Sequence, residues 1–217
     1  MGRSTQRPKA IQDLLKRGSA ALKKEDWFQA EELLSKATGM LRSRMEWGCL
    51  ADTIEQLHTA RKGRRKAALA SRSAIRIIEE DPGDKPDIER GRVLFQPPMV
   101  GADARRYGLE ARAQEVAVAV ICREPTTQLG EIPVVAIAPG ATVRVKIDPP
   151  KSESKPSAAW FRSAIDALGQ EAVAMDQIDL ETPKRVDRLL ALIDAVPDSV
   201  APHERLVEVC REAADHA

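Results

Sequence analysis

Residues 116–147 read VAVAVICREPTTQLGEIPVVAIAPGATVRVKI, and the fold turns on this stretch. Two runs in it, VAVAVI (116–121) and PVVAIA (133–138), are continuously apolar and carry β-branched residues. Strands that read this way are covered on both faces. The third run, ATVRVKI (141–147), alternates instead, with Val143, Val145 and Ile147 facing one way and Arg144 and Lys146 the other. That pattern predicts a half-exposed edge strand blunted by charge. Pro139 and Gly140 between the last two runs supply the chemistry of a tight antiparallel turn. Upstream, RVLF (92–95) is a short strand stopped by Gln96, Pro97 and Pro98. Residues 103–114 read as a helix, although Gly108 costs it about 1 kcal/mol relative to Ala. The middle region, 91–148, is thus a small mixed β-sheet of three to four strands with one helix.

Strands covered on both faces need helices, and both flanks supply them. In the N-terminal region, 1–80, Ile11, Leu14, Leu15 and Leu22 mark a first helix. Ala30, Leu33, Leu34, Ala37 and Leu41 mark a second, with Asp26 as its cap. Leu50, Ile54 and Leu57 mark a third. A fourth is expected from about Arg64 to Glu80, ending before DPGDKP, whose prolines and glycine do not continue a helix. After the linker DPPKSESKP (148–156) come three helices in the C-terminal region, 156–217. Phe161, Ala164, Ile165 and Leu168 form one stripe. Val186, Leu189, Leu190 and Ile193 form the next, with Thr182 as cap and Pro183 in the first turn. Leu206, Val209, Cys210 and Ala213 form the last. The expected fold class is α+β: N-terminal helical hairpins and C-terminal helices packed as one body on the small central sheet.

Within GSAALKKEDWFQAEELLSKA (18–37), Gly18, Ala30, Leu34 and Ala37 place small and branched residues where two antiparallel helices approach closely, and Trp27 follows Asp26 at the turn. On these residues, 11–44 resembles a single tetratricopeptide-type helical hairpin, roughly one repeat period. Trp47, Leu50, Ala51 and Ile54 open a second, degenerate unit. The resemblance implies a surface that holds a protein partner. Trp27, Phe28 and Trp47 are its candidate anchors, since aromatics dominate contact energies at such surfaces.

Charged residues make up 31% of the 217 and hydrophobic residues 43%, a composition that folds rather than staying disordered. The net charge of +1 hides a polarity. Residues 1–80 carry 17 Lys/Arg against 10 Asp/Glu, whereas residues 156–217 carry 6 against 12. Either the two ends face each other or the basic end meets something anionic. No run approaches the roughly 18 to 20 apolar residues of a membrane helix, and no signal core follows the basic start. Cys49, Cys122 and Cys210 are widely spaced, which fits a cytoplasmic location without disulfides or a zinc knuckle.

The sharpest candidate site is RKGRRKAALASRSAIR (61–76), with seven Lys/Arg and no acid. On a helix, Arg61, Arg65, Arg72 and Arg76 fall within a strip roughly 60° wide and about 22 Å long, suited to nucleic-acid phosphates. No aromatic interleaves them, so base stacking has no visible basis. Cys122, at a strand end beside Arg123, is a candidate nucleophile if His58 or His203 reaches it as base. Gln96, Pro97, Pro98 and Gly101 precede a helix start where Arg105 or Arg106 could help hold an anion. Asp176 and Asp179 read as solvated helix ends. Phosphate-loop, dinucleotide, zinc-protease and nucleophile-elbow motifs are absent, so no cofactor is expected. The leading reading is a non-enzymatic interaction or adaptor protein using its N-terminal hairpins. The alternatives are phosphate binding through 61–76 and a cysteine-dependent enzyme centred on Cys122.

Overall fold

The computed structural model describes residues 8–71, 73–83 and 85–216. Three helices open the chain: α1 (Lys9–Lys23), α2 (Trp27–Ser43) and α3 (Trp47–Leu69). The two turns between them are built alike. Glu25 and Met45 each take a left-handed conformation, with φ of 58° and 55°. Asp26 N then donates to Ala21 O at 3.0 Å, and Glu46 N to Leu41 O at 3.1 Å, closing the carbonyl ends of α1 and α2. Asp26 also caps α2, its carboxylate accepting from Gln29 N at 3.2 Å. Close packing of α1 on α2 depends on Gly18, where a Cβ would lie 2.9 Å from the Leu34 side chain.

The sheet follows, with spatial order equal to chain order: β1 (Arg76–Ile78), β2 (Gly91–Phe95), β3 (Val118–Arg123), β4 (Ile132–Ala138) and β5 (Ala141–Ile147). The first three strands are parallel, and β3, β4 and β5 are antiparallel. Helix α4 (Gly101–Ala113) makes the crossover from β2 to β3. It covers one face through Tyr107, Ala104 and Ala111, which pack with Val93, Phe95, Cys122 and Val135. The other face is covered by α5 (Ala158–Ala174), α6 (Thr182–Ala195) and α3, and α7 (Ala201–Asp215) packs on these three helices. There Leu57, Leu94, Ile121, Val143, Phe161, Leu189 and Leu206 share one core, to which the N-terminal helices, the sheet and the C-terminal helices all contribute. The protein is therefore a mixed helix-and-sheet fold. Among the described residues no helix is long and apolar enough to cross a membrane.

Three expectations need correction. Among the described residues the sheet has five strands, because β1 forms inside the stretch from Arg64 to Glu80 that the sequence predicts as a helix. Residues 50–57 and 64–69 instead belong to one continuous helix, α3. Gly63 does not interrupt it; a Cβ there would lie 2.4 Å from the Trp27 indole, so the glycine gives that ring its seat. Beyond Leu69 the branched Ile75, Ile77 and Ile78 favour a strand. Arg92 fixes the exit from α3 by donating to the carbonyls of Ser71 and Ser73 at 2.9 and 2.5 Å. Lastly, the N-cap position of α6 is Glu181, with no side-chain cap bond, and Thr182 is already helical.

Candidate functional site

The arginine strip does not form. Arg61 and Arg65 stand on α3, Arg76 stands on β1, and Arg72 lies outside the described residues. Arg61 and its neighbour Arg64 are only 5% and 4% exposed. Both turn inward onto Glu31 of α2, at 3.0 and 3.1 Å. Arg61 also donates to Ile193 O at 2.9 Å, and Arg64 reaches Asp198 at 2.9 Å and Val118 O at 3.2 Å. Arg65 pairs with Asp166 at 3.1 Å. The Arg76 guanidinium lies 5.5 Å from the centre of the Tyr107 ring. Arg61 on Ile193 O, Arg64 on Asp198, Arg65 on Asp166 and Arg42, which grips Asp187 at 2.6 and 2.7 Å, join the basic N-terminal third to the acidic C-terminal third. The charge polarity is to that extent satisfied internally.

Glu31 is the hub of this interior. A third guanidinium, Arg112 of α4, reaches it at 3.2 Å. Burial by itself would raise the Glu31 pKa, but the fields of Arg61, Arg64 and Arg112 outweigh burial and hold it at about 2. Burial likewise disfavours charge on Arg64, and there Asp198 and Glu31 win, raising its pKa. Beside Arg61 sits His203, fully buried. Its Nδ1 is 2.7 Å from Ser199 O and its Nε2 is 3.1 Å from Arg61 Nη1. A carbonyl only accepts and a guanidinium only donates, so the proton is on Nδ1 and the ring is neutral. Burial, then the Arg61 charge, push the His203 pKa well below its ordinary value.

These positions overturn the cysteine reading. His203 stacks on His58 at 4.8 Å in the layer of α3 and α7, whereas Cys122 packs with α4 across the sheet. Cys122 is 0% exposed among Val93, Phe95, Tyr107 and Val135, and burial pushes its thiol up to about 12. Such a thiol is inert near neutral pH. Asp176 is not a solvated end either. Its side chain, 5% exposed, accepts from Arg185 at 2.9 and 2.6 Å and from Arg205 at 2.8 Å. The three aromatic candidates separate. Trp47 is 8% exposed, with the Arg42 guanidinium 5.4 Å from its ring, and is not open to a partner. Trp27 is half-buried against Gly63, and Phe28 is half-buried beside a groove shared with Glu31, Ser35 and Arg112.

Two features remain as candidate sites. The first is the outer surface of the α1–α2 hairpin, where Lys9, Lys16, Arg17, Lys23 and Lys24 are all exposed. The second was invisible in the sequence. The β3–β4 ladder pairs only Cys122 with Val135 and Arg123 with Val134. Beyond them the strands diverge, and a cavity of about 90 Å³ opens between Val120 and Ile137. Arg64, Arg105 and Arg112 line it. Arginines satisfy strand carbonyls at its margins: Arg64 donates to Val118 O, and Arg105 Nη1 donates to Ile137 O at 3.1 Å. Arg105 is itself held by the Asp194 carboxylate at 2.8 Å. Of the loop and helix start at 96–106, Gly101 and Arg105 reach this cavity, while Arg106 pairs with Asp81 at 2.8 Å. Among the described residues, no group of three or more His, Cys, Asp or Glu side chains is placed to hold a metal ion. No family model matches this chain, and no curated protein or solved structure matches it.

Proposed function

We propose that this chain is a non-catalytic interaction protein that holds an acidic segment of a protein partner on its tetratricopeptide-like N-terminal hairpin. The observation that supports the reading is the surface of α1. Four cations and one acid lie on it, and its lysines are exposed, while Arg61 and Arg64 of α3 are drawn inside. Among the described residues, helix α1 packs on α2 and α3, and its other face carries exposed side chains. An acidic helical or extended segment complements that face, and such charge matching raises association rate and selectivity. Half-buried Trp27 and Phe28 at the start of α2 are its candidate apolar contacts.

Phosphate binding through 61–76 lacks the open strip it requires, since Arg61 and Arg64 are buried on carboxylates. The deciding experiment is capture of partners from native lysate with the full chain, compared with Lys16→Glu/Lys23→Glu and with Arg144→Glu/Lys146→Glu on β5. The α1 pair should lose the captured protein and the β5 pair should keep it. Equal capture by all three chains, or capture of nucleic acid alone, overturns the reading.

A further inference from the structure

The cavity between β3 and β4 has the shape and the charge of a ligand site. Its walls are mixed: Val120, Ile137 and Leu168 are apolar, and guanidiniums enter from α3 on one side of the sheet and α4 on the other. Four arginines meet in this interior, Arg61, Arg64, Arg105 and Arg112. Three carboxylates answer them, those of Glu31, Asp198 and Asp194. His203 is neutral by its hydrogen bonds, so the cluster keeps one uncompensated positive charge. Arg105 and Arg112 keep only 21% and 25% of their side-chain exposure, so water screens that charge in part, and one monoanion would cancel it.

Arg112 is the group best placed to take that anion. It lines the cavity, and its one hydrogen bond among the described residues joins Nη1 to Glu31. A guanidinium carries five N–H donors, so most of its fork is unengaged and suits a carboxylate. Size narrows the class further. A water's share of volume is about 30 Å³, so the cavity of about 90 Å³ accommodates a few heavy atoms. Gly108 of α4 also belongs to the wall, and a Cβ added there would meet Val120 only at 3.9 Å. The helix thus leaves room there that a long side chain such as leucine would take up.

We propose that this cavity binds a short aliphatic monocarboxylate, with its carboxylate on Arg112 and its hydrocarbon between Val120, Ile137 and Leu168. The site is distinct from the α1 surface, so the two proposals stand or fall separately.

Amide-resolved NMR titration of the full chain tests it with propionate, the neutral isostere propionamide, and inorganic phosphate. Propionate should give saturable shifts confined to β3, β4 and α4, and propionamide should bind at least about tenfold more weakly, as expected for loss of a charge-assisted pair. Arg112→Gln should weaken propionate by a similar factor. That variant also removes a hydrogen bond to Glu31, so a second one separates folding from binding: Gly108→Leu keeps every charge and should abolish binding by filling the space. Absence of saturable shifts in the native chain at about 50 mM propionate overturns the proposal. So does unchanged binding in a folded Gly108→Leu chain. Phosphate binding as tightly as propionate also overturns it, because the hydrocarbon wall would then contribute nothing.

Discussion

Two basic helices in the same third of the chain meet opposite fates. On α1, Lys9, Lys16 and Lys23 stay in water; on α3, Arg61 and Arg64 lie almost wholly inside. Residue chemistry accounts for part of the difference. Arginine's planar fork satisfies several acceptors at once and is weakly hydrated, so it tolerates burial where lysine does not. Arg64 bonds at once to a carboxylate on α2, a strand carbonyl and Asp198 near the start of α7. The rest is set by the acceptors. Glu31 stands on α2, 30 or more positions away from either arginine, and faces α3 because the two helices pack together. Positive charge in a sequence therefore does not by itself mark a surface.

The most forceful way to break this contrast is Glu31→Gln. It leaves three guanidiniums without their shared carboxylate, two of them buried. Removing one member of a buried ionic network costs about 3–5 kcal/mol. Lys16→Glu on α1 should change stability by no more than about 0.5 kcal/mol, as exposed substitutions generally do. Urea unfolding of the two variants measures both. A loss below about 1 kcal/mol for Glu31→Gln would mean that the network relaxes into water when disturbed.

Titration approaches the same hub without mutation. The Glu31 pKa falls from 4.5 in its ordinary state to about 2 in the fold. The folded carboxyl therefore binds fewer protons than the unfolded one between those values. Its stabilisation is complete above pH 4.5 and is lost as pH falls through about 2, amounting to about 3 kcal/mol. His203, whose pKa is also depressed, acts in the same direction, with its loss beginning as pH drops below 6.5. Stability of the native chain should thus decline in two stages on acidification. Glu31→Gln should flatten the lower stage and leave the upper. Coincident curves for the two chains below pH 4.5 would remove Glu31 as the hub.

How much of this was legible in the sequence depended on the range of the interaction that decides each element. Local patterns sufficed for α1, α2, the alternating β5 and the three C-terminal helices, because a stripe of Val186, Leu189 and Ile193 or a turn at Gly140 carries its own instructions. Around β1 the local pattern points the wrong way, since Ala67, Ala70, Ala74 and Ile77 also satisfy helical spacing. What makes β1 a strand is β2 beside it, with Ile77 opposite Leu94. The arginine strip failed for the same reason, its acceptors lying on other elements. The cavity left even less trace. It arises where a ladder of two residue pairs stops, and neither VAVAVI nor PVVAIA carries a break at that point. Gly108 was the one available signal, and its departure from helix propensity has a reading once α4 is seen to line the cavity.

Gly63 offers the finest test of where the hairpin's own residues belong. In an exposed helix, Gly→Ala stabilises by about 1 kcal/mol, because the backbone loses freedom it would otherwise keep when unfolded. Here the added methyl would lie 2.4 Å from the Trp27 ring. Overpacking of that kind costs about 1–3 kcal/mol, so Gly63→Ala should destabilise by about 1 kcal/mol or slightly more despite its better helix propensity. Replacing the indole as well, in Gly63→Ala/Trp27→Leu, should recover the propensity gain relative to Trp27→Leu alone. The sign of that double-mutant coupling is what matters. A stabilising Gly63→Ala in the native background would place the Trp27 ring away from α3, free to meet a partner with its whole surface. A destabilising one keeps it as the pin between hairpin and interior, leaving Phe28 and the α1 lysines to make the contact.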